Sequence, residues 1–151
     1  MKRFLALLLI LAVCSAIAVS GQRRQRRERR RFDPDGSFWI HGEHPNGFLD
    51  FSGFNLNAKN LKRLPASGVD LNNGKHFRFK TLSVMQDNFT FTTVTISNIS
   101  YSFSGSFLRG GVFESAGLDD ETPVLEGRLT KYKGMKKVAE ENLKFVYFAG
   151  T

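Results

Sequence analysis

The segment FTFTTVTISNISYSFSGSF, residues 89–107, decides the fold class. Its first half alternates Phe with Thr, and its second half alternates aromatic residues with Ser. This alternation is typical of a β-strand with one buried and one solvated face. One strand over the whole segment would exceed the usual length of about 3–10 residues. Because the apolar phase flips at Ser97-Asn98, we predict two strands joined there by a hairpin turn.

Similar patterns extend in both directions, with turn signals roughly every 8–12 residues, as in antiparallel β proteins. We expect about eight strands and an all-β fold, either an antiparallel sandwich or a barrel. Glycine or proline occurs in four of the six predicted turns and favours the backbone angles that a turn requires. The predicted turns lie at residues 33–36, 45–47, 72–74, 86–88, 97–98 and 133–136.

Three local features refine the strand assignment. The alternation shifts phase at Ser52-Gly53, and a glycine at such a shift predicts a β-bulge. A short strand is expected at residues 112–113. Short helical turns are expected at residues 58–64 and 138–141.

Phenylalanine dominates the expected interior. The chain has 15 Phe, and all but Phe4 follow the first 21 residues. Most lie on one phase of a strand, opposite Ser, Thr, Lys or Asp. Burying one Phe side chain contributes roughly 1.5–3 kcal/mol, so these rings predict a core that needs no disulfide. The alternative is a barrel whose Phe side chains line a pocket for a small apolar ligand.

Residues 1–21 are expected to be a secretory signal peptide. Lys2 and Arg3 precede an apolar run over residues 4–13, and residues 16–18 form an A-x-A cleavage pattern. The run is too short for a membrane-spanning helix. Cleavage would remove Cys14, the only cysteine, and leave a secreted or periplasmic chain without thiols. Alternatively, residues 11–14 resemble a bacterial lipobox, which would anchor the protein through a lipid on Cys14.

Residues 22–32 form an arginine-rich arm that we expect to be disordered. The arm reads RRQRRERRR at residues 23–31 and carries seven Arg and one Glu. Residues 33–151, the expected single β domain, contain 13 Lys and Arg and 13 Asp and Glu and are therefore neutral. The candidate anion-binding residues are Arg23, Arg24, Arg26, Arg27, Arg29, Arg30 and Arg31.

Guanidinium groups bind phosphate, sulfate and carboxylate groups in a bidentate manner. The arm therefore favours attachment to an anionic membrane or polymer surface. Two other interpretations remain open: a tether that aids solubility, and a processing site, since residues 24–27 read R-x-R-R. Nucleic acid is not an expected partner, because the folded domain has no excess positive charge.

The sequence offers few groups for catalysis, and no cofactor is expected. His41, Glu43 and His44 form the densest set of metal-capable side chains, with His76 as a distant fourth. They do not match H-E-x-x-H, and the chain contains no G-x-S-x-G, phosphate-loop or dinucleotide-binding motif. The adjacent Trp39 is either a core anchor or an exposed platform on which a sugar stacks.

Two N-x-S/T sequons begin at Asn88 and Asn98, at expected turns. They would be acceptors in a eukaryotic secretory pathway and incidental in a bacterium. The function that the sequence favours is a secreted, non-enzymatic binding or interaction module with a basic tethering arm. The alternatives are a barrel that binds an apolar ligand, and a metal-dependent or carbohydrate-active enzyme centred on His41, Glu43 and His44.

Overall fold

The computed structural model of the chain describes residues 32–57, 67–113, 116–119 and 121–148. These residues contain eight β-strands and a 3₁₀ helix at Asn46–Phe48. The strands, in chain order, are β1 (Gly36–Ile40), β2 (Phe51–Leu56), β3 (Gly68–Leu71), β4 (His76–Met85), β5 (Asn88–Thr93), β6 (Ile99–Phe107), β7 (Pro123–Lys133) and β8 (Lys136–Phe148).

The eight strands form a closed antiparallel barrel. Each strand pairs with the next one in the chain, and β8 pairs with β1 to close the sheet. This arrangement confirms the all-β prediction and selects the barrel over the sandwich. Closure satisfies the backbone groups that an open sheet would leave unpaired at its edges.

The hairpin predicted from residues 89–107 is confirmed. β5 and β6 pair with Phe91 opposite Phe103. Ser97 and Asn98 between them have φ of 49° and 68°, the left-handed conformation that a two-residue type I′ turn requires at both positions. The turn places Ile96 opposite Ile99, and a one-residue offset between Thr93 and Ile96 then gives the ladder register that directs Phe91 and Phe103 inward.

The bulge predicted at Ser52-Gly53 is also confirmed, because the pairing of β2 with β3 shifts between Phe51 and Gly53. The bulged backbone approaches β1 closely. A Cβ atom on Gly53 would collide with the carbonyl oxygen of Phe38. Only glycine allows this approach, which bends β2 around the barrel.

Two predicted elements are corrected. Residues 138–141 are not a helical turn but the middle of β8, where Ala139 pairs with Lys131 and Glu141 with Leu129. The long ladder with β7 overrides a weak local helix propensity. Val112 does not begin a strand; it makes an isolated parallel bridge to Asp33. The helical turn expected at 58–64 lies outside the described residues.

The core lies inside the barrel and is mainly aromatic. Side chains that alternate along the strands are buried, as the sequence pattern predicts. Two further buried rings lie outside the strands: Phe48, in the 3₁₀ helix, and Phe113, in the β6–β7 connection. The buried Phe residues are Phe38, Phe48, Phe51, Phe54, Phe77, Phe79, Phe89, Phe91, Phe103, Phe107, Phe113 and Phe145.

Candidate functional site

The barrel interior is filled by rings that pack on one another. Phe54, on β2, stacks on Phe38 with ring centroids 4.9 Å apart and meets Phe145 edge-on at 5.3 Å. Phe91 stacks on Phe103 at 5.6 Å, and the Phe91 ring also lies 5.5 Å from that of Phe54. Such separations lie within the favourable range for aromatic pairs. The rings that would line an apolar pocket thus occupy the interior themselves.

A polar cluster occupies one end of the barrel. Lys131, on β7, lies opposite Tyr101 of β6 and only 18% of its side chain is exposed. Its Nζ contacts both carboxylate oxygens of Asp50 at 3.0 and 3.1 Å and lies 5.8 Å from the centroid of the Tyr101 ring. The lysine therefore combines an ion pair with a cation–π contact.

The Tyr101 hydroxyl is buried in this cluster and has no hydrogen-bond partner. Burial, and secondarily the nearby Asp50 carboxylate, raises the pKa of the Tyr101 hydroxyl well above its usual value. The phenol therefore stays protonated at neutral pH. Since its ring packs edge-on against Phe77 and Phe51, we interpret this cluster as the closure of the core at this end.

An aromatic pair lies on the outer surface where β1 meets β8. Trp39 is 48% exposed and stacks on Phe148 with centroids 4.9 Å apart and an angle of 28° between the planes. Trp39 lies on the opposite face of β1 from the buried Phe38 and Ile40. The indole is thus not a core anchor, and the exposed-platform interpretation of Trp39 agrees with its position.

A row of hydrogen-bonded polar side chains lies beside this pair, one from each of β1, β2, β3 and β4. The Ser37 hydroxyl donates to Asn55 Oδ1, and Asn55 Nδ2 donates to Asp70 Oδ2 at 2.6 Å. His76 Nδ1 lies 2.7 Å from Asp70 Oδ1. A carboxylate only accepts hydrogen bonds, so the imidazole proton belongs on Nδ1 and His76 donates to Asp70. Asp70 therefore accepts from both Asn55 and His76.

Two strand glycines leave room for the Trp39 and His76 rings on this face. A Cβ atom on Gly53 would lie 3.2 Å from Trp39 Cδ1, in addition to its collision with β1. A Cβ atom on Gly68 would lie only 2.7 Å from His76 Nε2. Both rings therefore lie against a glycine of a neighbouring strand, a packing known to shield strand glycines.

Register places the aromatic pair and the polar row on one continuous surface. In one register row, Trp39 pairs with Gly53, Gly53 with Asp70, and Asp70 with His76. In the next row, Phe148 is opposite Ser37. We call this surface, defined by Ser37, Trp39, Gly53, Asn55, Asp70, His76 and Phe148, the Trp39 face.

A second feature of the outer surface is an open cleft of about 420 Å³ over β6, β7 and β8. Its floor includes Gly105 and Gly127, which lie opposite each other in the register. The cleft lacks aromatic side chains. Its lining residues are Gly105, Ser106, Glu126, Gly127, Asn142, Leu143 and Lys144.

The predicted metal-capable loop is exposed. His41, Glu43 and His44 all lie in the loop that follows β1. His76, considered as a distant fourth ligand, instead pairs with Asp70 on the Trp39 face. Within the described ranges, no group of three or more His, Cys, Asp or Glu side chains is arranged to hold a metal ion.

Asn88 and Asn98, the sequon asparagines, are both exposed. Asn88 begins β5, and Asn98 lies in the β5–β6 turn. The predicted signal peptide, Cys14 and the arginine arm at residues 23–31 all lie outside the described residues. Among the residues that the structure does describe, no helix has the length and hydropathy needed to cross a membrane.

No protein-family model, curated protein or solved structure matches this chain. The candidate site therefore rests on geometry alone. Its strongest elements are the exposed aromatic pair and the polar row, neither of which the core requires. Sequence reasoning identified Trp39 but missed Ser37, Asn55, Asp70 and Phe148. The alternation with Phe38 could have placed Ser37 and Trp39 on one outer face.

Proposed function

We propose that this chain is a secreted, non-enzymatic binding module that contacts its ligand through the outer surface of the barrel. The observation that carries the proposal is the exposed Trp39–Phe148 pair beside the hydrogen-bonded polar row. Exposed aromatic side chains next to ordered polar groups are typical of recognition surfaces. The packed aromatic interior favours this surface over an internal apolar pocket.

The arginine arm supplies the second part of the proposed function. Its seven guanidinium groups and single carboxylate give residues 23–31 a concentrated positive charge. Such an arm attracts anionic membranes or polymers without selecting among them. We propose that the arm holds the protein near an anionic surface, while the Trp39 face selects the ligand.

The arm is tested with vesicles of phosphatidylcholine with and without phosphatidylglycerol, and with immobilised heparin. The chain from Gln22 onward should bind the anionic surfaces and dissociate steeply between about 50 and 200 mM salt. A variant without residues 23–31 should lose this binding. Retention by the shortened variant would contradict the tethering role. Replacing the seven Arg by Lys is the matched control, since it keeps the charge.

Each of the two alternative functions predicts a result that the proposed function does not. Saturable binding of a fatty acid or retinoid, with loss of binding in a variant of the buried Phe103, would support the apolar-pocket barrel instead. Stoichiometric metal in the purified protein, lost in His41→Ala and His44→Ala, would support the metal-dependent enzyme. We expect neither result for the wild-type chain.

A further inference from the structure

We propose that the Trp39 face binds a neutral pyranose ring of a saccharide, with one face of the sugar against the indole. This inference deepens the proposed function and depends on it. It names the chemical class of the ligand that the outer surface selects.

The aromatic part of the face suits a ring with an apolar side. One side of the Trp39 indole is held by Phe148, and the neighbouring Gly53 presents no side chain. The stacking fixes the orientation of the indole before a ligand arrives. A rigid aromatic ring offers large contact area at low entropy cost. The C–H groups on one face of a pyranose are suited to such a contact.

The polar part of the face suits hydroxyl groups. In the row described above, the Ser37 hydroxyl and the second N–H of Asn55 retain hydrogen-bonding capacity, as do the remaining lone pairs of Asp70. The set thus contains both donors and acceptors. A hydroxyl group also donates and accepts, so adjacent hydroxyls on a sugar match this set better than a simple cation or anion does.

These polar groups are already oriented. The hydrogen bonds of Asn55 to Ser37 and to Asp70 fix its amide, and His76 fixes the second oxygen of Asp70. Side chains that are ordered before binding lose less entropy when a ligand is bound. The row therefore presents a prepared pattern to the ligand.

The spacing fits one sugar ring. Trp39 and Asp70 occupy the same register row and are separated by the strand that carries Gly53. Two inter-strand spacings amount to about 10 Å. Because the indole itself covers Gly53, a pyranose stacked with one face on the exposed part of the indole lies within this distance of the Asn55 and Asp70 side chains, which its hydroxyl groups can reach.

Local charge favours a neutral sugar. Asp70 lies inside the face, and only 38% of its side chain is exposed. A carboxylate accepts hydrogen bonds from neutral hydroxyls strongly, since charge-assisted bonds are the stronger ones. The exposed Arg78 of β4 lies in the same register row as Ser37 and Asn55 and balances the Asp70 charge, so the face has no net charge that would favour uronic acids, sulfated sugars or phospholipid headgroups. We therefore assign the binding of anionic polymers to the arm and the binding of neutral saccharides to the Trp39 face.

The chain contains one Trp, so its fluorescence reports directly on the proposed site. Cellotetraose, mannotetraose and tetraacetylchitotetraose serve as neutral probes, and tetragalacturonate as the acidic probe, all with the variant lacking residues 23–31. At least one neutral probe should shift or quench the emission saturably, and the acidic probe should bind at least tenfold more weakly. Backbone amide shifts in the wild-type barrel should then map to Ser37 and Asn55.

Variants test the assignment by calorimetry. Trp39→Ala should weaken binding of the active probe at least tenfold, and Asp70→Asn, which keeps the shape of the side chain, should also weaken it. Leu49→Ala is the matched control, because Leu49 is an exposed apolar residue outside the face. Circular dichroism spectra and melting temperatures verify that each variant is folded.

The outcomes separate this inference from the proposed function. If no neutral probe binds, but another partner shifts the Trp39 emission saturably, the saccharide inference is overturned and the binding surface stands. If Trp39→Ala binds the neutral probe as tightly as wild type, the assignment to this face is overturned. If neither saccharides, vesicles nor protein partners affect Trp39, the proposed function fails as well.

Discussion

Replacing Phe54 by Ala tests the packed interior on which the functional argument depends. Phe54 is 1% exposed and lies near the middle of β2. Its ring stacks on Phe38 and Phe89 and meets Phe145 edge-on, at centroid distances of 4.9, 5.5 and 5.3 Å. Phe54 thus contacts rings from three other strands, β1, β5 and β8. No other ring in the described core contacts rings from all three of these strands.

The expected loss of unfolding free energy is about 4–5 kcal/mol. Phe-to-Ala changes in a core cost about 3–5 kcal/mol, and the ring pairs add roughly 0.5–1.5 kcal/mol each beyond area burial. Strands held in a closed ladder cannot collapse far into the vacated space, which places the loss at the upper end. Because a small domain has about 5–15 kcal/mol in total, the variant should be marginally folded.

Urea denaturation followed by far-ultraviolet circular dichroism measures the loss, with the m-value expected to stay constant. Leu49→Ala, at a side chain that is 60% exposed, is the surface control and should change stability by less than about 0.5 kcal/mol. A loss below about 1.5 kcal/mol for Phe54→Ala would contradict a fully packed interior. It would mean that the interior already contains empty space beside this ring, as the apolar-pocket alternative requires.

Three further predictions concern stability. Tyr101→Phe removes an unpartnered buried hydroxyl and should stabilise the protein by roughly 1 kcal/mol in thermal melts. Because the pKa of Tyr101 is raised in the folded state, the stability of the wild type should be fully present below the ordinary tyrosine pKa of about 10 and should fall above it. The variant should lose less stability above that pH. A double-mutant cycle with Asp50→Ala and Lys131→Ala should give a coupling energy of about 1 kcal/mol, since Asp50 is 41% exposed and solvent screens the pair. Changing Ser97-Asn98 to Asn-Gly, the residues preferred in type I′ turns, should raise the melting temperature by a few degrees, and a lower melting temperature would contradict the assigned turn conformation.

Local patterns predicted the parts of the fold that local chemistry controls. Alternation and the phase flip at residues 97–98 predicted the β5–β6 hairpin, because side-chain period and turn geometry act over few residues. The glycine at the phase shift in β2 predicted the bulge for the same reason. Residues 138–141 were assigned wrongly, since their strand conformation is imposed by pairing with β7 rather than by their own propensity.

The candidate site was only partly predictable, because it depends on register between strands that are distant in sequence. Trp39 was recognised as a possible platform, and its partner Phe148 lies at the other end of the domain. The polar row assembles only after four strands are aligned. The contact of Lys131 with Asp50, across 81 positions, has no local signal in the sequence.

The pairing of β1 with β8 has a consequence for how the protein forms. The first and last strands of the domain close the sheet, so the barrel has a ladder between its most distant segments. The other seven ladders join strands that are neighbours in the sequence, so the β1–β8 ladder carries the largest loop-closure cost and should form last. The barrel of a growing chain cannot close until β8 has been synthesised. A chain that ends before β8 leaves β1 and β7 as edge strands, whose unpaired backbone groups can pair with other chains. Loss of the last strand should therefore lead to aggregation rather than to a smaller folded domain.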